Sequence, residues 1–160
     1  AHFESFLSNH IQFVAGGSER QDSVRHALVC VSSDYVMIHD GARPFVSLSA
    51  LTALKRHTNA ILAVAVKDTI KQVDDGKKIK QTVPRKILFS AQTRQYFEKD
   101  LIKEVHTIAK IKGYSGTDDA SLVEMFSSKS VEIVLGSYEN IKSTTPEDLL
   151  FGQAILDKLK

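Results

Sequence analysis

The chain predicts an α/β fold in which helices cover one mixed, mostly parallel sheet. Three observations carry that reading. Short apolar runs of strand length alternate with segments of helical periodicity along all 160 residues. Polar clusters fall at the junctions between these elements, where open α/β sheets bind ligands. The sequence shows no repeats, low-complexity tracts or Pro/Ser-rich linker, so length and pattern point to one domain with a genuine core.

In chain order, residues 1–7 read as a helix and residues 11–15 as a strand running into Gly16-Gly17. Ser18 with Gln21 is a capping-box pattern. Val24, Ala27, Leu28 and Val31 then fall at i, i+3, i+4 and i+7 of a helix. Residues 35–39 are apolar enough for a buried central strand, which Asp40 closes and Gly41-Ala42-Arg43-Pro44 turns. A helix over 47–57 and a strand over 60–66 follow. Two alternating stretches, 71–73 and 78–83, flank Asp74-Asp75-Gly76, a hairpin signal. The hairpin offers only Ile70, Val73, Ile79 and Val83 to bury, and so thin an arm rarely stands alone. It reads either as a projecting arm completed by a second subunit or as a solvated edge protected by lysines. A long helix is expected over 95–110, with Phe97, Leu101, Val105 and Ile108 on one face. A short helix after Thr117, a strand over 131–135 and a helix from Pro146 complete the pattern.

Composition narrows the function classes. Hydrophobic residues at 42% and charged residues at 25% are ordinary for a soluble globular protein. A net charge of +2 implies neither a nucleic-acid nor a membrane partner. No apolar run approaches the roughly 20 residues needed to cross a bilayer, and no secretory signal is recognisable. Cys30 is the only cysteine; it cannot form an internal disulfide and reads as a buried, inert thiol.

Four polar clusters carry the chemistry: residues 16–23, Asp40 to Arg43, residues 117–121 and residues 140–148. An acid, an Arg, a Lys and several hydroxyls at element junctions suggest phosphate and a divalent metal. Asp40 either holds that metal or caps the turn before Pro44. His39 points to the opposite face of its strand and reads as packed. Thr145, Pro146 and Asp148 suit N-cap, N1 and N3 of the last helix, whose amides and partial positive charge, with Lys142 beside them, make an anion site or simply a cap. Thr117 serves a ligand or caps a helix; Asp118 and Asp119 read as first-turn dipole residues.

In family order the pieces GGSERQDSV (16–24), HDGARPFV (39–46), DTIK (68–71), TVPR (82–85), TDDASLVE (117–124) and NIKSTTPEDL (140–149) resemble the 2-C-methyl-D-erythritol 4-phosphate cytidylyltransferases of non-mevalonate isoprenoid synthesis. The resemblance implies a Rossmann-like three-layer nucleotidyltransferase fold with a β-hairpin arm over 70–85 that dimerises the enzyme. The implied reaction transfers a cytidylyl group from CTP to the sugar-alcohol phosphate, with Mg²⁺ or another divalent cation on Asp40. It also implies nucleotide contacts from Gly17, Ser18, Ser23, Gly41 and Lys142, and catalytic roles for Lys142 and Asp40. Substrate contacts would come from Asp40, Arg43, Thr69, Arg85, Thr93, Thr117 and Thr144, with Arg85 serving the neighbouring subunit's site. One departure stands out: the family's Gln-Thr-Pro-Gln is here Gln92-Thr93-Arg94-Gln95.

Such enzymes open with a strand and a glycine-rich loop carrying an Arg and a Lys. Nothing of that kind precedes Gly16, so the expectation is a single domain lacking its first strand and that loop, poorly active by itself. The nearest rivals are a ribitol 5-phosphate cytidylyltransferase, against which the DTIK, TVPR and TDDAS pieces argue, and a non-catalytic nucleotide-binding module. A cytoplasmic setting is expected; a plastid one stays open.

Overall fold

In the computed structural model, residues 11–159 are described; the helix expected over residues 1–7 lies outside them. The elements run α1 (Arg20–Val29), β1 (Tyr35–Ile38), α2 (Leu48–Leu54), β2 (Ala60–Ala65), β3 (Lys71–Val73), β4 (Ile79–Thr82), β5 (Phe89–Glu98), α3 (Lys99–Ile111), α4 (Asp119–Phe126), β6 (Glu132–Leu135) and α5 (Pro146–Lys158). They fall into two compact units. One holds the described residues up to Val36 with Glu98–Ser130, the other Met37–Phe97 with Val131–Lys160.

The sheet orders its strands β1-β5-β2-β6. It is mixed: β2 pairs antiparallel with β5 and parallel with β6. The run Ala-Ile-Leu-Ala-Val-Ala of β2 is apolar on both faces, as an inner strand requires, and five of its six residues are buried. Around it in the second unit Leu54, Ala60, Leu62, Tyr96 and Val134 form a core, joined by Met37, Val46, Ala50 and Ala53. Ser47 caps α2 by accepting from the Ala50 amide. Gly152 of α5 is buried, and a methyl there would touch the Phe45 ring at 3.5 Å.

In the first unit α3 packs against α1 and α4. The stripe of α3 that is buried comprises Ile102, Val105, His106 and Ala109. Asp118 caps α4, exchanging hydrogen bonds with Ser121 in a capping box.

Several expectations are corrected. Residues 11–15 form no strand; Ile11 makes an isolated bridge and the rest is irregular and exposed. An apolar run becomes a strand only where an edge is offered to it, and none of the four sheet strands pairs along this one. Residues 95–98 are not helical but the end of β5, so Phe97 belongs to a strand and the buried face of α3 shifts to His106 and Ala109. Among the described strands β1 lies at one edge of the sheet, not its centre. Glu19 rather than Ser18 is the N-cap of α1. Gln21 instead bonds the Tyr114 carbonyl and the Gly116 amide. Cys30 is not buried but exposed, at the C-cap of α1.

The hairpin is present as expected, as a two-stranded sheet of its own. Its turn is held by Asp74, whose carbonyl accepts from the Lys77 amide and whose carboxylate accepts from the Lys78 amide. Lys77 takes φ of 59° there, the left-handed region that costs a side chain about 1 kcal/mol. Every residue of both hairpin strands is exposed.

Candidate functional site

The second unit gathers three segments: the turn after β1, a bulge in β5 and the loop ahead of α5. The bulge organises them. Ile61 of β2 faces Gln95, but Leu62 faces Gln92, so Thr93 and Arg94 are extra residues with no partner on β2. Bulges re-aim side chains, and here Thr93 receives the Asp40 amide on its Oγ1 at 3.0 Å. The same hydroxyl lies 3.2 Å from His39 Nδ1, and His39 Nε2 lies 2.9 Å from the Arg43 carbonyl. One assignment satisfies every contact: Thr93 donates to Nδ1, and a neutral imidazole donates from Nε2 to the carbonyl. Burial holds His39 below its ordinary pKa, with the Arg94 and Arg43 charges acting the same way and the Arg43 carbonyl and Asp40 opposing. His39 is thus a packed residue, as expected.

Asp40 closes its turn by accepting the Arg43 amide on its carbonyl. Its carboxylate, with 16% side-chain exposure, sits 3.2 Å from the Lys142 ammonium, which is 45% exposed. The Arg43 guanidinium reaches the Asn140 carbonyl at 2.7 Å; burial draws it below its usual value, and Asp40 opposes that shift. The Ser143 amide donates to the Ala42 carbonyl at 2.8 Å. These bonds bring Asp40, Arg43, Thr93 and Lys142 together, with Gly41 exposed at the turn. The α5 start is built as expected: Asp148 accepts the Thr144 and Thr145 amides, each at 2.8 Å, and these bonds hold its carboxyl below the usual range.

Thr69 and Arg85 are exposed at the base of the hairpin. Arg85 donates to the Lys67 carbonyl at 2.6 Å, and the Lys67 ammonium lies 3.6 Å above the Tyr138 ring, whose hydroxyl bonds the Ala65 carbonyl.

The first unit holds Gly17, Ser18, Ser23 and Thr117. The Gly17 amide donates to Ser23 Oγ, and Ser23 Oγ donates to the Glu19 carbonyl. A methyl on Gly17 would lie 2.3 Å from Asp22 Cβ, so only glycine fits. Ser18 donates to Asp22, which Lys110 also reaches at 3.0 Å; these bonds lower the Asp22 carboxyl, Lys110 first. Thr117 is exposed and does not cap α4, since Asp118 does. With Arg20, Ser115, Gly116 and Asp119 it lines a recess of about 100 Å³.

Sequence reasoning missed two groups. Asp119 lies in the first turn of α4 as expected, but it is also buried, with one oxygen 2.8 Å from Arg20 and the other 3.0 Å from the fully buried His106. Asn140 and Gln92 are likewise buried and bonded to one another. Polar residues within β5, α4 and the loop ahead of α5 were the available signal, but which of them turn inward is set by tertiary partners.

Metal binding is compatible with this arrangement. No three His, Cys, Asp or Glu side chains gather as a cage among the described residues. Mg²⁺ needs only one or two carboxylates, its other positions going to substrate phosphates and water, and Asp40, mostly buried but still reached by solvent, suits that.

Comparison with known proteins shows the family of this chain. The family model of 2-C-methyl-D-erythritol 4-phosphate cytidylyltransferase matches residues 1–158. The chain is 46% identical over 165 residues to the enzyme so named from Bacillus pumilus, covering 97% of this chain and 72% of that protein. It is 49% identical over 155 residues to the one from Bacillus cereus, covering 94% and 68%. The crystal structure of 4-diphosphocytidyl-2C-methyl-D-erythritol synthase from Anaerococcus prevotii superposes with a TM-score of 0.86 at 34% identity, over 96% of this chain and 70% of that one.

Proposed function

The chain belongs to the 2-C-methyl-D-erythritol 4-phosphate cytidylyltransferase family, and from that premise we propose how its own residues carry out cytidylyl transfer. The donor is CTP. A phosphate oxygen of methylerythritol phosphate attacks the α-phosphorus, a new P–O bond forms, the bond to the β-phosphate bridging oxygen breaks, and pyrophosphate departs with the electron pair. Both reactants are anionic, so the protein's work is alignment and charge neutralisation.

The observation that carries this reading is the Asp40–Lys142 pair at the junction of the β1 turn and the α5 loop. An ammonium has three donors, and a bond to Asp40 leaves two for phosphate. Lys142 is the group that stabilises charge as pyrophosphate leaves. Arg43, anchored through Asn140, binds phosphate or braces the turn. Gly41, exposed at the turn, lets backbone amides approach the nucleotide. Gly17, Ser18 and Ser23 serve the cytosine and ribose, and Thr69, Arg85, Thr93, Thr117 and Thr144 the acceptor. Asp40 would hold Mg²⁺, which when bound neutralises charge on the nucleotide phosphates.

The exposed hairpin is the surface through which two copies would pair, delivering Arg85 to the neighbouring site. A cytoplasmic location belongs to the same reading. Among the described residues no helix is long and apolar enough to cross a membrane.

Calorimetric titration of CTP with and without Mg²⁺ tests the Asp40 assignment. The expected result is that Asp40→Asn removes most of the Mg²⁺-dependent gain in affinity. An unchanged gain would remove Asp40 from the metal.

A further inference from the structure

The bulge in β5 leaves Thr93 without a partner on β2, and a buried strand carbonyl needs a donor from elsewhere. Asn140 supplies it. Its Nδ2 donates to the Thr93 carbonyl at 3.0 Å and to Gln92 Oε1 at 3.3 Å. Gln92 in turn donates to the Ser137 carbonyl at 2.9 Å. Asn140 is 2% exposed and Gln92 6%, so both amides work away from solvent, where a lost partner is expensive. The backbone carbonyl of Asn140 accepts the Arg43 guanidinium at 2.7 Å, and Lys142 follows two residues later.

Gly136 gives an independent sign that this arrangement is fitted closely. A methyl there would lie 2.3 Å from Gln92 Oε1. The Gln92 amide therefore packs against bare backbone and has one place to be.

We propose that Asn140, supported by Gln92, is a positioning residue for cytidylyl transfer: it fastens the loop bearing Lys142 to the β5 bulge and so sets where the Arg43 and Lys142 cations meet phosphate. The inference rests on the function given above. Lys142 is half-exposed on a loop, with one ion pair to a carboxylate that also serves the metal. Such a side chain is aimed by its backbone, and the backbone is aimed by Asn140. A displacement of about 1 Å can cost on the order of a hundredfold in rate.

The test is a double-mutant comparison in the full chain. Asn140→Ala lowers kcat about tenfold or more, with the KM for CTP changed by less than about threefold. In the Lys142→Ala background the same substitution costs less than about threefold, because the group it aims is gone. Equal losses in both backgrounds would overturn the proposal, since a general structural weakening acts regardless of Lys142. Gln92→Leu, which removes one support and leaves Asn140 in place, follows the same pattern if Asn140→Ala does not fold. Should the parent protein release no pyrophosphate from CTP, the functional reading itself fails. The fastening is then decided by the ¹⁵Nε resonance of Arg43: broadening in Asn140→Ala supports it, and an unchanged signal overturns it.

Discussion

Lys142 and His39 show how differently two polar residues of one site behave. Lys142 is half-exposed and bonded to a carboxylate that substrate chemistry would also use. Lys142→Ala lowers turnover by roughly 10²–10³ if it stabilises transition-state charge, with steady-state pyrophosphate release as the measurement; near-normal turnover would remove it from the mechanism. His39 is spent on structure, between Thr93 and the Arg43 carbonyl. Its folded pKa is lowered, chiefly by burial, so the unfolded chain binds the proton more readily. Stability from the neutral imidazole is therefore fully present above an unfolded pKa of about 6.5 and declines as pH falls below it. Urea midpoints at stepped pH check the sign: the wild type weakens below that point more than His39→Gln does. Asp40, His39, Arg43 and Lys142 were all legible in the sequence, since each sits in a short motif at an element junction. The burial of Asp119 and of Asn140 was not, because Arg20 for one and Gln92 and Thr93 for the other lie far away in sequence.

At the scale of elements, most apolar runs were read correctly, the run 11–15 was not, and neither was the polar strand. Ala60–Ala65 and Glu132–Leu135 announce themselves by composition, and the α5 start by its Thr-Pro-Glu-Asp cap. β5 reads Phe-Ser-Ala-Gln-Thr-Arg-Gln-Tyr-Phe-Glu, and its buried Gln92, Thr93 and Gln95 disguise an inner strand as a helix start. Their burial makes sense only once the bulge and Asn140 are present, which is tertiary information. The arginine that replaces proline in this stretch falls on the bulge itself. Two substitutions probe these local geometries. Gly136→Ala forces Gln92 out of place and destabilises by about 1–3 kcal/mol, the usual range for overpacking; a thermal midpoint unchanged from wild type would contradict that contact. Lys77→Gly relieves the left-handed backbone of the hairpin turn and stabilises by up to about 1 kcal/mol, read by denaturant titration.

For the molecule as a whole, the likeness to a cytidylyltransferase rests on pieces spread along nearly the entire chain, and the fold follows from their order. Assembly is the less visible part. The hairpin leaves Ile70, Val73 and Ile79 exposed, and light scattering of a variant in which residues 70–85 are replaced by a short loop reports whether they hold two copies together; a dimer that persists would place the interface elsewhere. The central claim, cytidylyl transfer to methylerythritol phosphate, is tested most directly by pyrophosphate release from CTP and Mg²⁺. The assay offers methylerythritol phosphate and ribitol 5-phosphate in parallel. Release with methylerythritol phosphate alone is the predicted result. Release with ribitol 5-phosphate alone, or none with either while CTP remains bound, would contradict it.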